Sequence, residues 1–154
     1  MTDIAIRSMH WSDIPVAAAF ERDLFPHDPW TPEQFWSELA GVPATRWYVV
    51  AVDGSEVVGY AGLYAIAGAD ADADVQTVAV RPDSQGSGLG SRLVQELLAE
   101  AERRGCHRVF LEVAADNLGA QELYARHGFA RISQRRNYYG QGVDGIVMRH
   151  GRTS

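Results

Sequence analysis

Short apolar segments recur along the chain with two different periods, which predict its strands and helices. Alternating apolar and polar positions predict strands at residues 4–7, 47–52, 57–66, 73–80, 109–113, 129–135 and 143–148. Apolar residues three and four apart predict helices at residues 14–24, 32–39, 89–104 and 117–126. The predicted order is therefore βααβββαβαββ, an α/β (α+β) pattern in which successive strands pair mostly in antiparallel fashion.

Local signals mark where several of these elements begin and end. Ser12 is expected to cap the first helix. Asp53 followed by Gly54 is typical of a tight hairpin turn. Gly105 and Gly128 are expected to end the two later helices, because glycine readily adopts the left-handed backbone conformation found there.

Length and composition are those of an ordinary globular protein. The chain has 154 residues, 46% of them hydrophobic and 22% charged, and a single domain over residues 1–154 is expected. It contains neither an apolar run near the roughly 20 residues of a membrane span nor a secretory signal pattern at its start. The single cysteine, Cys106, is expected to be a buried residue leading into a strand, and its isolation favours a cytoplasmic protein.

The charge distribution narrows the range of partners. A net charge of −6 argues against direct binding of nucleic acid, which requires basic surface stripes. The five histidines, His27 among them, lack the close pairing of a metal site, so they are interpreted as structural or solvated and no metal is expected. Asp70, in an Ala-Asp tract, is interpreted as part of a solvated hairpin loop.

The segment 78–91 carries the clearest chemical signal. It runs from a β-branched strand through a proline turn into a glycine-rich helix start that contains Gln85, Gly86, Gly88 and Gly90. Glycines remove side chains where a phosphate must approach the backbone, and the first turn of a helix presents unpaired amide N–H groups to an anion. The turn is therefore predicted to bind a pyrophosphate, with a merely flexible loop as the alternative.

Two other phosphate-binding motifs fit this turn less well. A P-loop would have a lysine before Ser91, where the chain has Gly90. A dinucleotide fingerprint would have a third glycine at Ser91 and would lie in the first strand–helix–strand unit, whereas these glycines lie in mid-chain. Glu112, on a later strand, resembles the acidic residue of that fingerprint, but the glycine pattern and its mid-chain position still do not match it.

The element order and several motifs resemble the GNAT superfamily of N-acetyltransferases and, within it, the RimI-type alanine N-acetyltransferases. The motifs are Gln-x-x-Gly-x-Gly at 85–90, the strand 72–80, Leu-Glu-Val at 111–113 with Asn117, Leu-Tyr-Ala-Arg-His-Gly-Phe at 123–129, and Arg-Arg-Asn-Tyr-Tyr at 135–139. The resemblance covers essentially the whole chain. It implies the GNAT fold, a mixed, mostly antiparallel twisted sheet flanked by helices, and direct transfer of acetyl from acetyl-CoA to an amine in a ternary complex.

The resemblance also implies which residues bind acetyl-CoA. Amides of the glycine-rich turn would hold the pyrophosphate, the backbone of Val78 and Val80 would pair with the pantetheine arm, and the Val78 N–H would donate to the acetyl carbonyl oxygen. Asn117 has two open interpretations, a helix N-cap or a pantetheine contact. The full expected set is Val78, Val80, Gln85, Gly86, Ser87, Gly88, Gly90, Ser91 and Asn117.

Two residues are expected to be catalytic under the same resemblance. Glu112 is the expected general base, and because it alternates with Leu111 and Val113 it projects from the opposite face of its strand. A surface or ion-paired carboxylate is the alternative. Tyr124 is expected to donate a proton to the departing thiolate, and it lies two helical turns after Asn117, on the same helix face; a core tyrosine is the alternative.

Four aromatic residues are expected to surround the substrate amine. Phe25 and Trp30 would form a lip over it, and Tyr138 and Tyr139 the opposite wall, with a small satellite core as the alternative. The loop 25–30 is longer than in RimI-type chains. Those enzymes acetylate the N-terminal alanine of a basic small-subunit ribosomal protein, so a basic N-terminal peptide is the expected partner.

Acidic residues are expected near the same entrance. Asp74 is a second candidate base, or it recognises the positive charge of the substrate. With Asp72 and Glu112 it would make an acidic mouth that attracts cations. RimI-type chains commonly have glutamates and an asparagine at the positions of Asp72, Asp74 and Thr77.

The expected function is acetylation of an N-terminal α-amine, alanine first, on a ribosomal protein and on other proteins. The alternatives are a small-molecule amine or lysine acetyltransferase of the same fold, and a non-catalytic acyl-CoA-binding module. The sequence does not determine the oligomeric state, for which a monomer is the expectation, and neither a membrane nor a nucleic acid is an expected partner.

Overall fold

A computed structural model describes residues 3–26, 29–67, 71–139 and 142–151. The strands are β1 (Ile4–Ser8), β2 (Arg46–Asp53), β3 (Glu56–Ala65), β4 (Asp72–Val80), β5 (Arg108–Ala114), β6 (Ala130–Arg135) and β7 (Gly145–Gly151). The helices are α1 (Ile14–Leu24), α2 (Pro32–Ala40), α3 (Leu89–Arg103) and α4 (Leu118–Arg126). The predicted order βααβββαβαββ is confirmed, and the structure adds two 3-10 turns, Trp11–Asp13 and Pro82–Ser84.

All seven strands belong to one sheet in the order β1-β2-β3-β4-β5-β7-β6. Its pairs are antiparallel except β4 with β5, which run parallel and pair only from Asp72 to Asp74 against Arg108 to Phe110. Beyond Asp74, β4 keeps β3 on one side and has no partner among the described strands on the other. The two central strands therefore diverge, and a segment of β4 has an unpaired backbone edge.

Helices cover both faces of the sheet. On one face α3 buries the predicted stripe, including Leu93 and Leu97, in a core that also contains Tyr124 of α4. On the other face Ala17 of α1 and Phe35 of α2 pack against β2 and β3. Within the described ranges, none of the helices is long and apolar enough to cross a bilayer.

Several local predictions are confirmed by backbone geometry. Gly54, Gly105 and Gly128 have φ of +65°, +82° and +88°, at the hairpin turn and just after α3 and α4. Cys106 is 7% exposed and precedes β5, and burial raises the pKa of its thiol, which suits a structural residue. His27 and Asp70 lie outside the described residues.

Several boundaries differ from the prediction by one to three residues, and two of these differences have a cause in local hydrogen bonding. Ser12 lies inside the 3-10 turn and does not cap α1; Asp13 holds that position, and its carboxylate accepts hydrogen bonds from Arg7 and from the His10 N–H. The last strand begins at Gly145 rather than at 143, because the Val143 carbonyl accepts the Tyr139 N–H within the preceding turn. Both differences arise where a non-helical or non-sheet hydrogen bond satisfies the backbone.

Candidate active site

A cleft of about 1420 Å³ opens where β4 and β5 diverge. The structure brings nearly all of the predicted site residues to this one cleft: Phe25, Trp30, Asp74, Val78, Val80, Gln85, Gly86, Gly88, Gly90, Ser91, Glu112, Asn117, Tyr124, Tyr138 and Tyr139. Ser87 is the exception. Its hydroxyl donates to the Ser84 carbonyl at 2.5 Å, and the residue is not part of the cleft wall.

The glycine-rich turn has the geometry that an anion-binding turn requires. Gly86 and Gly88 have φ of +83° and +84°, and a Cβ added to either would point into open space. Gly88 is the N-cap residue of α3 and supplies no capping side chain. Gly88, Gly90 and Ser91 line the cleft, so the amides of the first helical turn are available to an anion there. Gln85 donates to the Val80 carbonyl at 3.0 Å, which ties the turn to the end of β4.

The unpaired edge of β4 continues from this turn. Residues 75–80 line the cleft and, within the part of the chain that the structure describes, have no strand partner on the side that faces β5. An amide-bearing chain can therefore pair with β4 as an added strand. This edge and the adjoining turn fit the pantetheine and pyrophosphate parts of a CoA thioester.

The start of α4 has both a structural and a cleft-facing role. The Asn117 side chain accepts the Ala120 N–H at 3.1 Å, which is the predicted N-cap, and Asn117 also lines the cleft. A Cβ on Gly90 would lie 3.1 Å from Leu123, so glycine there lets α3 pack closely on α4. Tyr124 lies on the same face of α4 as Asn117, as predicted from their spacing.

Glu112 is both a cleft residue and an ion-paired one. Leu111 and Val113 are buried against the α3 core, and Glu112 projects from the other face of β5 into the cleft. Its Oε1 accepts from Arg135 of β6 at 2.7 Å. Its Oε2 is buried without a hydrogen-bond partner among the described residues, and a Cβ on Gly145 would lie only 3.1 Å from it. This oxygen is therefore available to a hydrogen-bond donor of a molecule that enters the cleft.

Tyr124 is a buried tyrosine at the cleft wall. It is 7% exposed, and its ring packs edge-on against Phe129 with the centroids 5.7 Å apart. Burial raises its pKa well above the ordinary value, and Tyr139 adds to the rise. Its hydroxyl is therefore protonated throughout the physiological range and is suited to donate.

Two groups of aromatic residues also line the cleft. The amine lip consists of Phe25, Pro26 and Trp30, and the aromatic wall consists of Tyr138 and Tyr139. Phe25 and Trp30 both pack against the core between α1, α2 and the sheet, with the Trp30 ring 5.3 Å from Phe35, so the satellite-core alternative describes these two residues.

A short loop holds the aromatic wall in place. The Tyr138 and Tyr139 rings meet edge-on at 4.9 Å, and the Arg135 guanidinium lies 4.1 Å over the Tyr138 ring. Asn137, with φ of +54°, donates its N–H to Asp144 at 2.7 Å. That hydrogen bond holds the pKa of Asp144 below its usual range. The wall is thus anchored at both ends of its loop.

The predicted acidic mouth is wrong in part. Asp72 does not line the cleft and forms an ion pair with Arg108 at 2.7 Å, while Glu112 is paired with Arg135. Asp74 lines the cleft, and desolvation in the cleft wall raises its pKa, with the Asp72 carboxylate adding to the rise. Parallel pairing of β4 with β5 places Arg108 beside Asp72, which the sequence pattern did not show.

One buried polar residue of this cleft was not predicted from the sequence. Glu21 is 2% exposed and lines the cleft. The signal was present, since Glu21 continues the apolar face of α1 that Ile14, Ala17 and Ala18 form. An acidic residue in a core stripe indicates buried hydrogen-bond partners, which the sequence does not identify.

Comparison with known proteins agrees with this geometry. The sequence profile of the Acetyltransferase (GNAT) family matches residues 6–129. The chain is 40% identical over 149 residues to the N-alpha-acetyltransferase RimI of Mycobacterium tuberculosis, an alignment covering 95% of this chain and 91% of that protein. The crystal structure of the ribosomal-protein-S18-alanine N-acetyltransferase of Escherichia coli is similar at a TM-score of 0.82 and 30% identity, over 97% of this chain and 94% of that one.

A more distant structure shares the fold. Arabidopsis thaliana NAA60, solved in complex with acetyl-CoA, has a TM-score of 0.86 and 21% identity, over 99% of this chain and all of that one.

The chain belongs to the GNAT family of acetyltransferases. It is an acetyl-CoA-dependent N-acetyltransferase, similar over most of its length to proteins named RimI. The predicted family, fold and enzyme class are thus confirmed.

Proposed function

We propose that the protein acetylates the N-terminal α-amine, alanine preferred, of a basic ribosomal small-subunit protein, and of further proteins, by direct transfer in a ternary complex. One observation carries the proposal. One cleft is lined by the glycine-rich turn, the free edge of β4, Glu112, Tyr124, the amine lip and the aromatic wall. The similarity of the chain to proteins that are named for alanine N-acetylation supports the same substrate class.

Residues of the chain would hold acetyl-CoA along this cleft. Amides of Gly86, Gly88 and the first turn of α3 would bind the pyrophosphate, and the backbone of Val78 and Val80 would pair with the pantetheine arm. When bound, acetyl-CoA supplies a thioester-activated acetyl group. The Val78 N–H would donate to the acetyl oxygen, where negative charge develops.

Glu112 would accept the proton of the substrate ammonium, directly or through a water molecule. A terminal α-amine has a reference pKa of about 7.7–8.0, against about 10.4 for lysine, so its deprotonation near neutral pH is a small task. The ion pair with Arg135 engages only Oε1 and leaves Oε2 without a hydrogen-bond partner among the described residues, so Oε2 would accept this proton. Asp74 is the second candidate for this role.

Tyr124 would return a proton to the leaving sulfur. Its raised pKa keeps the hydroxyl protonated at the pH of the reaction. Glu112 on β5 and Tyr124 on α4 line the same cleft, so one accepts and the other donates a proton within one site. As the C–S bond breaks, the second proton leaves the substrate nitrogen and would reprotonate the Tyr124 phenolate through solvent, and Glu112 would release its proton to solvent before the next turnover.

A panel of peptides that differ only in the first residue tests the proposed acceptor. We expect the highest kcat/KM for alanine, lower values for larger first residues, and no turnover of an N-terminally blocked peptide. Mass spectrometry should locate the acetyl group on the terminal nitrogen even when the peptide contains lysine. Acetylation mainly on lysine side chains, or equal rates with free polyamines, would instead support the lysine-directed or small-molecule alternative, and binding of acetyl-CoA without any turnover would support the non-catalytic module.

Asp74→Asn is expected to lower kcat/KM about two- to fivefold for peptides with basic residues behind the first position. Peptides with neutral residues there should change little, because Asp74 would act through charge at the cleft wall. Raising the salt concentration should reduce the difference. Asp72→Asn is the matched control, since it removes the same charge from a residue outside the cleft. An equal loss in both variants would contradict a specific role for Asp74.

Cytoplasmic location, a monomeric state and the absence of metal and nucleic-acid partners stay predictions from the sequence. Among the described residues, no group of three His, Cys, Asp or Glu side chains is arranged to hold a metal ion.

A further inference from the structure

Glu21 is a buried carboxylate that joins three separate parts of the fold, two of which line the cleft. Its Oε2 accepts hydrogen bonds from the Tyr60 hydroxyl at 2.5 Å and from the Thr77 hydroxyl at 3.2 Å. Its Oε1 accepts the backbone N–H of Trp30 at 3.0 Å. A carboxylate that is 2% exposed is costly to bury unless its oxygens are hydrogen-bonded, and these three described donors meet that requirement.

The partners of Glu21 lie on both sides of the proposed acetyl-transfer site. Thr77 immediately precedes Val78 on the unpaired segment of β4, and Trp30 belongs to the amine lip. The Trp30 ring packs separately against Phe35, so the hydrogen bond to Glu21 is a second attachment, made through the backbone. Glu21 therefore sets the distance between the lip and β4.

A second, largely buried carboxylate, on α2, accepts a similar set of hydrogen bonds away from the lip. Glu38 of α2 accepts from the Tyr48 hydroxyl at 2.7 Å, from Arg46 at 2.8 Å and from Gln76 at 3.2 Å. Like Glu21, it ties a helix to a buried tyrosine and to β4. None of these hydrogen bonds comes from the amine lip, so Glu38 is a built-in control.

We propose that Glu21 is a positioning residue for the acceptor amine: it holds the amine lip against β4 through the Trp30 N–H. The proposal rests on the function proposed above. Glu21 acts through the lip and not by contact with the reacting atoms, since its two oxygens already accept from Tyr60, Thr77 and Trp30. Its loss should therefore weaken productive binding of the acceptor more than it slows the chemical step.

Two substitutions separate this role from a role of the negative charge. Glu21→Gln keeps an oxygen that accepts the Trp30 N–H, and its amide group can donate to the Tyr60 and Thr77 hydroxyls, which also accept. The combined variant Glu21→Met, Tyr60→Phe and Thr77→Val removes the carboxylate with both hydroxyl partners. Removing both sides of a buried hydrogen bond costs far less stability than removing one, so this variant should fold. Of the three described donors to Glu21, only the Trp30 N–H then remains without this acceptor.

Hydrogen exchange of the Trp30 amide and steady-state kinetics test the proposal. In the triple variant we expect faster Trp30 exchange and a peptide KM about five- to tenfold higher, with a smaller change in kcat and in acetyl-CoA affinity. Glu21→Gln should restore both readouts to near wild-type values. The control variant, Glu38→Met with Tyr48→Phe, should leave the Trp30 exchange rate and the peptide KM unchanged. It should lower thermal stability, and so it measures the effect of losing a largely buried carboxylate that does not contact the lip.

Unchanged exchange and unchanged KM in the triple variant would overturn the proposal. A loss in Glu21→Gln as large as in the triple variant would also overturn it, because the charge and not the tether would then matter. If the wild-type enzyme acetylates lysine or small amines in place of peptide α-amines, the proposed function fails, and the same comparison of KM with that acceptor decides the role of Glu21.

Discussion

Glu112→Gln and Tyr124→Phe are each expected to lower kcat by about 10²–10⁴-fold, the usual contribution of a general acid or base. The glutamine would keep the shape of the Glu112 side chain and an oxygen for Arg135, but it cannot take up a proton. Tyr124→Phe keeps a ring packed on Phe129 and removes only the hydroxyl. Turnover should be measured at saturating peptide below neutral pH, where the base is needed most, and acetyl-CoA binding by calorimetry should be nearly unchanged.

Matched controls exist for both catalytic substitutions. Glu122→Gln makes the same charge change on α4 at a side chain that is 74% exposed and absent from the cleft wall. Tyr64→Phe removes a tyrosine hydroxyl on β3, also away from the cleft. Both controls should retain wild-type kcat. Wild-type turnover in Glu112→Gln or in Tyr124→Phe would remove that residue from the chemistry.

Gly88→Glu is expected to weaken acetyl-CoA binding by at least about tenfold, because a negative side chain would occupy the anion-binding turn. The residue has φ of +84°, a conformation that side chains other than glycine adopt at a cost. The substitution should therefore also lower the thermal stability somewhat. Calorimetric titration measures the affinity, and circular dichroism verifies that the fold is intact.

Gly54→Glu separates the loss of binding from the backbone strain. Gly54 lies in the β2–β3 turn, has φ of +65°, and has open space around an added Cβ, as Gly88 does. The same side chain at a similar backbone conformation should lower stability without changing the affinity for acetyl-CoA. An equal loss of affinity in both variants would refute the assignment of the glycine-rich turn to the cofactor.

Some of the site could be predicted because its signals are local. Gly86 and Gly88 adopt the left-handed conformation for which glycine is suited, and Asn117 caps the helix that follows it. The alternation around Glu112 correctly predicted the face of β5 from which it projects. Each of these inferences depends on residues within one or two turns of the chain, where backbone sterics and periodicity dominate.

Other features of the site depend on contacts that no local pattern contains. Arg135 lies at the end of β6 and Glu112 lies on β5, and only β7 separates these two strands in the sheet. The long Arg135 side chain therefore reaches the Glu112 carboxylate. Asp72 pairs with Arg108 because β4 and β5 are parallel neighbours at their starts. The acidic mouth was overestimated for this reason, since counting charges along the sequence does not show which ones are neutralised by a partner.

The sequence by itself determined the order of the elements, the positions of the glycine turns and the residue types that the chemistry uses, because these follow from steric and periodic rules acting over a few residues. Only the tertiary structure decided how those residues combine. The hydrogen bonds of Glu21 reach partners 9, 39 and 56 residues away, and the cleft exists because β4 and β5 part after Asp74. Contacts between residues so far apart in the sequence form only when helices and strands pack against one another. That packing depends on the burial and hydrogen bonding of the whole chain.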